Sequence, residues 1–187
     1  MILVRHGQSE FNVVYGATRQ DPGIEDPKLT DAGRRQARRV GTGLKALHVT
    51  RLIVSPYRRT LETAELAREA HPVELEVEPL VRERSAFICD VGTPRGALAE
   101  RWPHHAFDDL EEVWWTEREE SEHALGRRGE AFRAAQATAD RWRGAAVITH
   151  WGFIRALTGL AVGNGAMVRY DPTGARPAAE LVPATET

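Results

Sequence analysis

Three short apolar runs punctuate the chain: Ile2 to Val4, Leu52 to Val54 and Ala145 to Ile148. Each is followed at once by polar groups: Arg5-His6, Ser55, and Thr149-His150. Continuous runs of this length, rich in β-branched residues and separated by helical patterns, predict buried parallel strands of an α/β sheet. The helical patterns are clear. Thr30 can cap a helix whose apolar positions Ala37, Val40, Leu44 and Leu47 recur at helical spacing. Ser55-Pro56 reads as an N-cap with proline at the first helical position, opening a helix through about Ala70 with Leu61, Ala64 and Ala67 or Arg68 turned inward. Leu125, Phe132, Ala135, Ala139 and Trp142 mark another helix, and Phe153, Ile154, Leu157, Leu160 and Ala161 a last apolar face. From Gly163 to Thr187 the pattern gives turns, one or two weak strands and a frayed end.

Residues 84–123 break this rhythm. From Asp108 to Glu122 there are eight acidic residues against one arginine, and Pro94 and Pro103 interrupt any long helix. Two readings stand: a solvated helix face, or a cap inserted over a site, with Phe87, Phe107, Trp114 and Trp115 as its apolar underside. A cap this acidic would disfavour polyanions, and Trp114 and Trp115 would offer rings on which a substrate could stack.

Length and composition narrow the class. At 187 residues, 42% hydrophobic and 28% charged, the chain fits one globular domain with a core of its own. No apolar run is long enough to span a membrane, and MILV, cut off by Arg5, is too short for a secretory signal. A soluble protein of the cytoplasm is therefore expected. Its single cysteine, Cys89, fits a reducing compartment. A net charge of −2 gives no general attraction to nucleic acid or to anionic lipid, and the oligomeric state is not legible.

In open α/β sheets ligands sit beyond the carboxyl ends of the strands. Arg5, His6, Ser55 and His150 all follow predicted strands, and Arg59 falls near the start of the helix after Ser55, where free N–H groups and the helix dipole favour an anion. Two guanidinium groups, two imidazoles and a helix end suit a phosphoryl group, whose oxygens match the arginine fork.

The stretch RHGQSEFN at 5–12 resembles the RHG signature of the histidine phosphatase superfamily, the phosphoglycerate-mutase-like enzymes. DPKLTDAGRRQA at 26–37, SPYRRTLETA at 55–64 and THWG at 149–152 resemble the segments that follow it there, in the same order. The resemblance implies a three-layer α/β/α sandwich with a mostly parallel central sheet, spanning residues 1–187 as one domain with 84–123 as a cap insertion. It implies His6 as a nucleophile that becomes a phosphohistidine, with Arg5, Arg59 and His150 around the phosphoryl group and Asn12 and Trp151 as further contacts. Arg59 rather than Arg58 matches the family's arginine, four positions after the serine. The family's proton donor, a glutamate after the third strand, corresponds to Glu83 in PLVRERSAF, although the glycine-rich context expected after it is replaced by RERSAFICDVGTP. The implied activity is hydrolysis of small phosphorylated metabolites without metal or other cofactor, with a mildly acidic pH optimum because Glu83 must begin protonated.

Three rivals are distinguishable. A mutase would return the phosphoryl group to a bound intermediate, which calls for a larger lid than some 40 residues supply. A non-catalytic domain would bind phosphorylated partners with the same pocket. CDVGTPR at 89–95 has the cysteine-to-arginine spacing of a cysteine-dependent phosphatase loop, yet Pro94 removes an N–H such a cradle uses and only Phe87-Ile88 precede it as a strand. His104-His105 lack the spacing of a defined metal site, so none is expected there.

Overall fold

A computed structural model describes residues 1–138, 142–174 and 178–183. The element order is β1 (Ile2–Arg5), α1 (Glu10–Thr18), α2 (Asp31–Ala46), β2 (Arg51–Val54), α3 (Arg58–Arg68), β3 (Glu74–Val77), α4 (Arg95–Arg101), α5 (Glu122–Thr138), β4 (Ala145–Thr149), α6 (Trp151–Thr158), β5 (Met167–Tyr170) and β6 (Ala179–Val182). Among the described residues the strands form one sheet in the order β3-β2-β4-β1-β5-β6. The β3-β2, β2-β4 and β4-β1 pairings are parallel; β5 and β6 add an antiparallel ribbon at the other edge.

The three apolar runs are continuous because both faces of the sheet are covered. Ile2, Val4, Leu52, Val54, Ala146 and Ile148 pack under α2 and α3. Their alternate neighbours Leu3, Ile53, Ala145 and Val147 pack under α5 and α6, against Leu125, Phe132, Phe153 and Ile154. Alternation of side chains along a strand sends successive residues into different layers, so no polar position interrupts the run. The result is the expected α/β/α sandwich. β3, reading ELEV, was harder to see: its glutamates face outward and Leu75 and Val77 are only half-buried, as suits an edge strand.

Several local expectations change. Thr30 does cap α2, accepting from Gly33 N at 3.0 Å. Ser55 does not cap α3, however. Its hydroxyl is taken by His150, residues 56 and 57 stay outside the helix, and α3 starts at Arg58, whose N–H donates to the Asp26 carboxylate at 2.9 Å. In α5 Leu125 and Phe132 are buried, but Ala135 is exposed and Gln136 takes the inward place; Ala139 lies outside the described residues, as does most of the predicted frayed end. α6 stops at Thr158 because Gly159 turns left-handed at φ 74°, so Val162 rather than Ala161 is buried. Within the acidic run, residues 108–121 form no helix; its carboxylates pair with Arg84, Arg95 and Arg128. Among the described residues no helix is long and apolar enough to cross a membrane.

Segment 84–121 divides in two. Leu98, Trp102, Phe107, Leu110 and Trp114 join the core on the α3 side, where Trp114 meets the Tyr57 ring at 4.7 Å. Trp115 packs against the same core, so neither tryptophan is available to stack on a substrate, contrary to the expectation from sequence. Only its first residues turn toward the strand ends.

Candidate active site

Beyond the carboxyl ends of β1, β2 and β4 lies a cavity of about 420 Å³. Arg5, His6, Asn12, Arg59, Glu83 and Trp151 line it. His150 stands directly behind, its ring centroid 5.2 Å from that of His6. The site residues that the family resemblance implied thus lie around one cavity. A larger cavity of about 520 Å³ at the opposite end of the sheet, near Met1, Arg143 and Tyr170, shares none of them.

His6 is 3% exposed and its Nδ1–H donates to the Gly7 carbonyl at 2.7 Å. A carbonyl can only accept, so the proton is fixed on Nδ1 and the lone pair of the neutral ring on Nε2. Burial, then the charges of Arg59 and Arg5, hold the His6 pKa well below the ordinary imidazole value, so the ring is neutral near pH 7. The motif's glycine has a steric cause: a Cβ on Gly7 would run into the Gly33 carbonyl oxygen at the start of α2. The second motif braces the first, with Gln8 N donating to Gln36 at 2.7 Å and Thr30 N to the Gln8 carbonyl at 2.9 Å.

The two cations are set differently. Arg5 donates to the Val162 carbonyl at 2.7 Å, while its buried Nε has no partner. Arg59 is buried, donating to the Cys89 carbonyl at 2.8 Å and to Asp90 Oδ1 at 3.1 Å, with the Tyr57 ring 4.2 Å beneath it. Arg58 instead pairs with Glu62 at 2.7 Å and does not line the cavity. The α3 N-terminus is not an open anion site, because Asp26 already caps it.

His150 is fully buried. Its Nε2 meets the Ser55 hydroxyl at 2.8 Å, its Nδ1 has no partner, and burial, then Arg59 and His6, keep its pKa well below the ordinary value. Glu83 reaches the site from the turn after β3 and accepts from Arg84 N at 2.9 Å and Gly152 N at 3.2 Å. Burial, with Asp90 nearby, raises its pKa above that of a free glutamate, against the two N–H bonds and Arg59. A Cβ on Gly152 would push the Glu83 carboxylate out of this position. Neither Arg82 nor Arg84 pairs with Glu83 through its guanidinium; they reach Glu120, and Glu119 with Glu122, respectively.

Asn12 occupies the capping box of α1, its Oδ1 accepting from Ser9 and Asn164, so the amide end is the part left for the cavity. Trp151 is 37% exposed at the rim. Cys89 also borders the cavity, but burial drives its thiol pKa up, and Arg95 pairs with Glu112 outside the cavity, so the two ends of CDVGTPR do not form one cradle. His104 and His105 converge on Glu65 at 3.0 and 2.9 Å, giving a tighter cluster than adjacent histidines suggested, away from the cavity and sharing that carboxylate with Arg68.

Three supporting residues escaped the sequence reading. Tyr57 packs on His150, lies under Arg59 and donates to the Asp90 carbonyl at 2.6 Å. Asp90 holds Arg59 and raises the Glu83 pKa. Arg128 clamps the turn carrying Glu83 through the carbonyls of Leu80, Arg82 and Glu83. None has a signal in a single sequence beyond lying near a motif or being one arginine among many.

The fold and the cavity together define an α/β protein with an imidazole and guanidinium site for an oxyanion. The chain belongs to the histidine phosphatase superfamily (branch 1), whose family model matches residues 1–172. A 102-residue stretch is 36% identical to fructose-2,6-bisphosphatase TIGAR B of Danio rerio, covering 52% of this chain and 38% of that protein. An 81-residue stretch is 41% identical to probable phosphoglycerate mutase GpmB of Photorhabdus laumondii, covering 43% of this chain and 36% of that one. The matched stretches thus span less than half of these curated relatives. The fold is similar to that of a mycobacterial glucosyl-3-phosphoglycerate phosphatase, with a TM-score of 0.65 and 20% identity over 97% of this chain and 96% of that one. It is also similar to phosphoserine phosphatase of Entamoeba histolytica, with a TM-score of 0.62 and 16% identity over 98% and 96%.

Proposed function

We propose that the protein is a phosphatase of small phosphomonoesters that works through a phosphohistidine on His6. The observation that carries this reading is the state of His6: a neutral imidazole with its proton fixed on Nδ1, its Nε2 lone pair free, in a cavity with Arg5 and Arg59. Two buried polar atoms near it, Arg5 Nε and His150 Nδ1, have no hydrogen-bond partner among the described residues, and buried polar atoms normally have one.

In the first step Nε2 attacks phosphorus and the P–O bond to the alcohol breaks. The arginines hold the equatorial oxygens and stabilise their charge. The Ser55 hydroxyl can donate to His150 Nε2, which leaves the His150 proton on Nδ1 to face an oxygen. Glu83, whose pKa burial and Asp90 raise, enters the step in its protonated form and gives its proton to the leaving alcohol. In the second step Glu83 takes a proton from water, the oxygen of that water bonds to phosphorus, the P–N bond breaks and inorganic phosphate leaves. Nδ1 keeps its proton throughout.

The second reading, transfer of the phosphoryl group to a bound acceptor, is favoured by the phosphoglycerate mutases among the relatives. Both share the first step. Incubation of the purified protein with a panel of phosphomonoesters and with 3-phosphoglycerate separates them: release of inorganic phosphate is expected, and isomerisation to 2-phosphoglycerate without release would replace hydrolysis by transfer. A cytoplasmic location and a cap role for residues 84–90 belong to the same proposal, the latter supported by Arg84, Phe87 and Asp90 at the cavity wall.

A further inference from the structure

Away from His6, one wall of the cavity is aromatic. Phe11 and Tyr15 on α1 stack with centroids 5.1 Å apart, and Phe87 closes a triangle with them at 5.4 and 5.0 Å. All three rings line the cavity, and Phe87 is 40% exposed. Phe11 is buried beneath the other two, while Tyr15 is half-buried; large aromatic side chains left part-exposed beside a polar pocket mark a ligand surface more than a packing accident. Across from them Trp151 presents a fourth aromatic ring, 37% exposed.

The cation beside Phe87, Arg84, is already paired. Arg84 is bound by Glu119 at 2.6 Å and Glu122 at 3.2 Å, and Arg155 lies 5.2 Å over the Trp151 ring. Glu122 itself borders the cavity. A leaving group carrying a second phosphate or a carboxylate would meet that glutamate and an arginine already paired with it, whereas an apolar ring would meet Tyr15 and Phe87, backed by Phe11.

We propose that Phe11, Tyr15 and Phe87 form a leaving-group subsite for aromatic or similarly apolar alcohols, so that the substrates are monophosphates of such alcohols rather than bisphosphates or phosphorylated acids. This rests on the phosphatase reading, and it relocates the ring-binding surface from Trp114 and Trp115 to α1 and the start of segment 84–121.

The test compares esters whose leaving groups are all primary alcohols, so that bond reactivity changes little: 2-phenylethyl phosphate and ethyl phosphate, with 3-phosphoglycerate as the acidic rival. For the wild type, kcat/KM for the phenylethyl ester should exceed that for ethyl phosphate by about tenfold or more, chiefly through KM, with 3-phosphoglycerate the poorest of the three. In Phe87→Ala the phenylethyl-to-ethyl ratio should fall about tenfold, and in Tyr15→Ala by several-fold. Equal ratios in wild type and Phe87→Ala, or a preference for 3-phosphoglycerate, would overturn the subsite. Calorimetric binding of 2-phenylethylphosphonate against ethylphosphonate reads the same preference without turnover. If no ester releases phosphate yet the phenylethyl compound binds about tenfold tighter, the hydrolytic reading fails and the subsite stands.

Discussion

The two sides of the cavity are built differently. At the strand ends His6 is 3% exposed and His150 fully buried, and both are fixed by parallel strands in register, by the Gly7 carbonyl and by Ser55. On the opposite side Phe87 and Ile88 are 40% and 43% exposed, on a 3₁₀ turn held by carboxylates: Ala86 and Phe87 N–H donate to Asp90 at 3.1 Å, and Ile88 N–H to Asp21 at 2.8 Å. The first side can hold an attacking atom in line with a breaking bond, because the sheet would have to deform before it moved. The second keeps its apolar side chains at the surface of the turn, while Asp90 and the Cys89 carbonyl at its inner end stay tied to Arg59. Chemistry sits on the sheet and selection of the alcohol on the loop, and the contrast says which substitutions should abolish turnover and which should only redirect it.

The largest expected effect is at the rigid side. His6→Ala should lower kcat by at least about 10,000-fold, since it removes the attacking atom, while a melting curve should change little. Arg59→Lys keeps the charge but loses the fork that spans the Cys89 carbonyl and Asp90; a loss in kcat/KM of about 100-fold is expected from steady-state rates. Glu83→Gln should cost about 100-fold or more with alkyl phosphates, and distinctly less with 4-nitrophenyl phosphate, whose leaving group needs no proton.

The pH profile joins the two sides. Glu83 must be protonated to act first and its pKa is raised, so the wild-type rate should hold through the mildly acidic range and fall as pH climbs through that pKa; His6, with its pKa depressed, stays neutral throughout that range. In Glu83→Gln the alkaline fall should disappear. Asp90→Asn removes a negative charge that raises the Glu83 pKa, so the alkaline limb should move to lower pH, a displacement that a merely structural role for Asp90 would not produce. The smallest effect is expected at the loop surface: Glu119→Gln breaks an exposed pair with Arg84 and should alter stability by less than about 1 kcal/mol in denaturant titration.

The same contrast decided what could be read from sequence. β1, β2 and β4 were legible because burial on both faces makes them unbroken apolar runs, and their polar successors Arg5, His6, Ser55 and His150 were legible as strand ends. β3 hid because an edge strand buries little and here alternates glutamate with leucine and valine. Ser55 was assigned to a helix cap since a serine before proline has that local preference; a contact with His150, 95 positions away, took its hydroxyl instead. The acidic run looked like a solvated helix because sequence shows charge but not its partners, and the arginines that use it include those at 82, 84, 95 and 128. Asp90 and Arg128 work by holding other residues, a role that depends wholly on three-dimensional neighbours.

The central claim is that His6 itself carries the phosphoryl group. Rapid mixing of the protein with 2-phenylethyl phosphate labelled in its phosphoryl group, followed by denaturing quench and peptide mass spectrometry, tests it directly. A phosphate that survives base, is lost in acid and maps to His6 is expected within the first turnover. Label on Cys89, or steady release of inorganic phosphate with no label on His6, would contradict it.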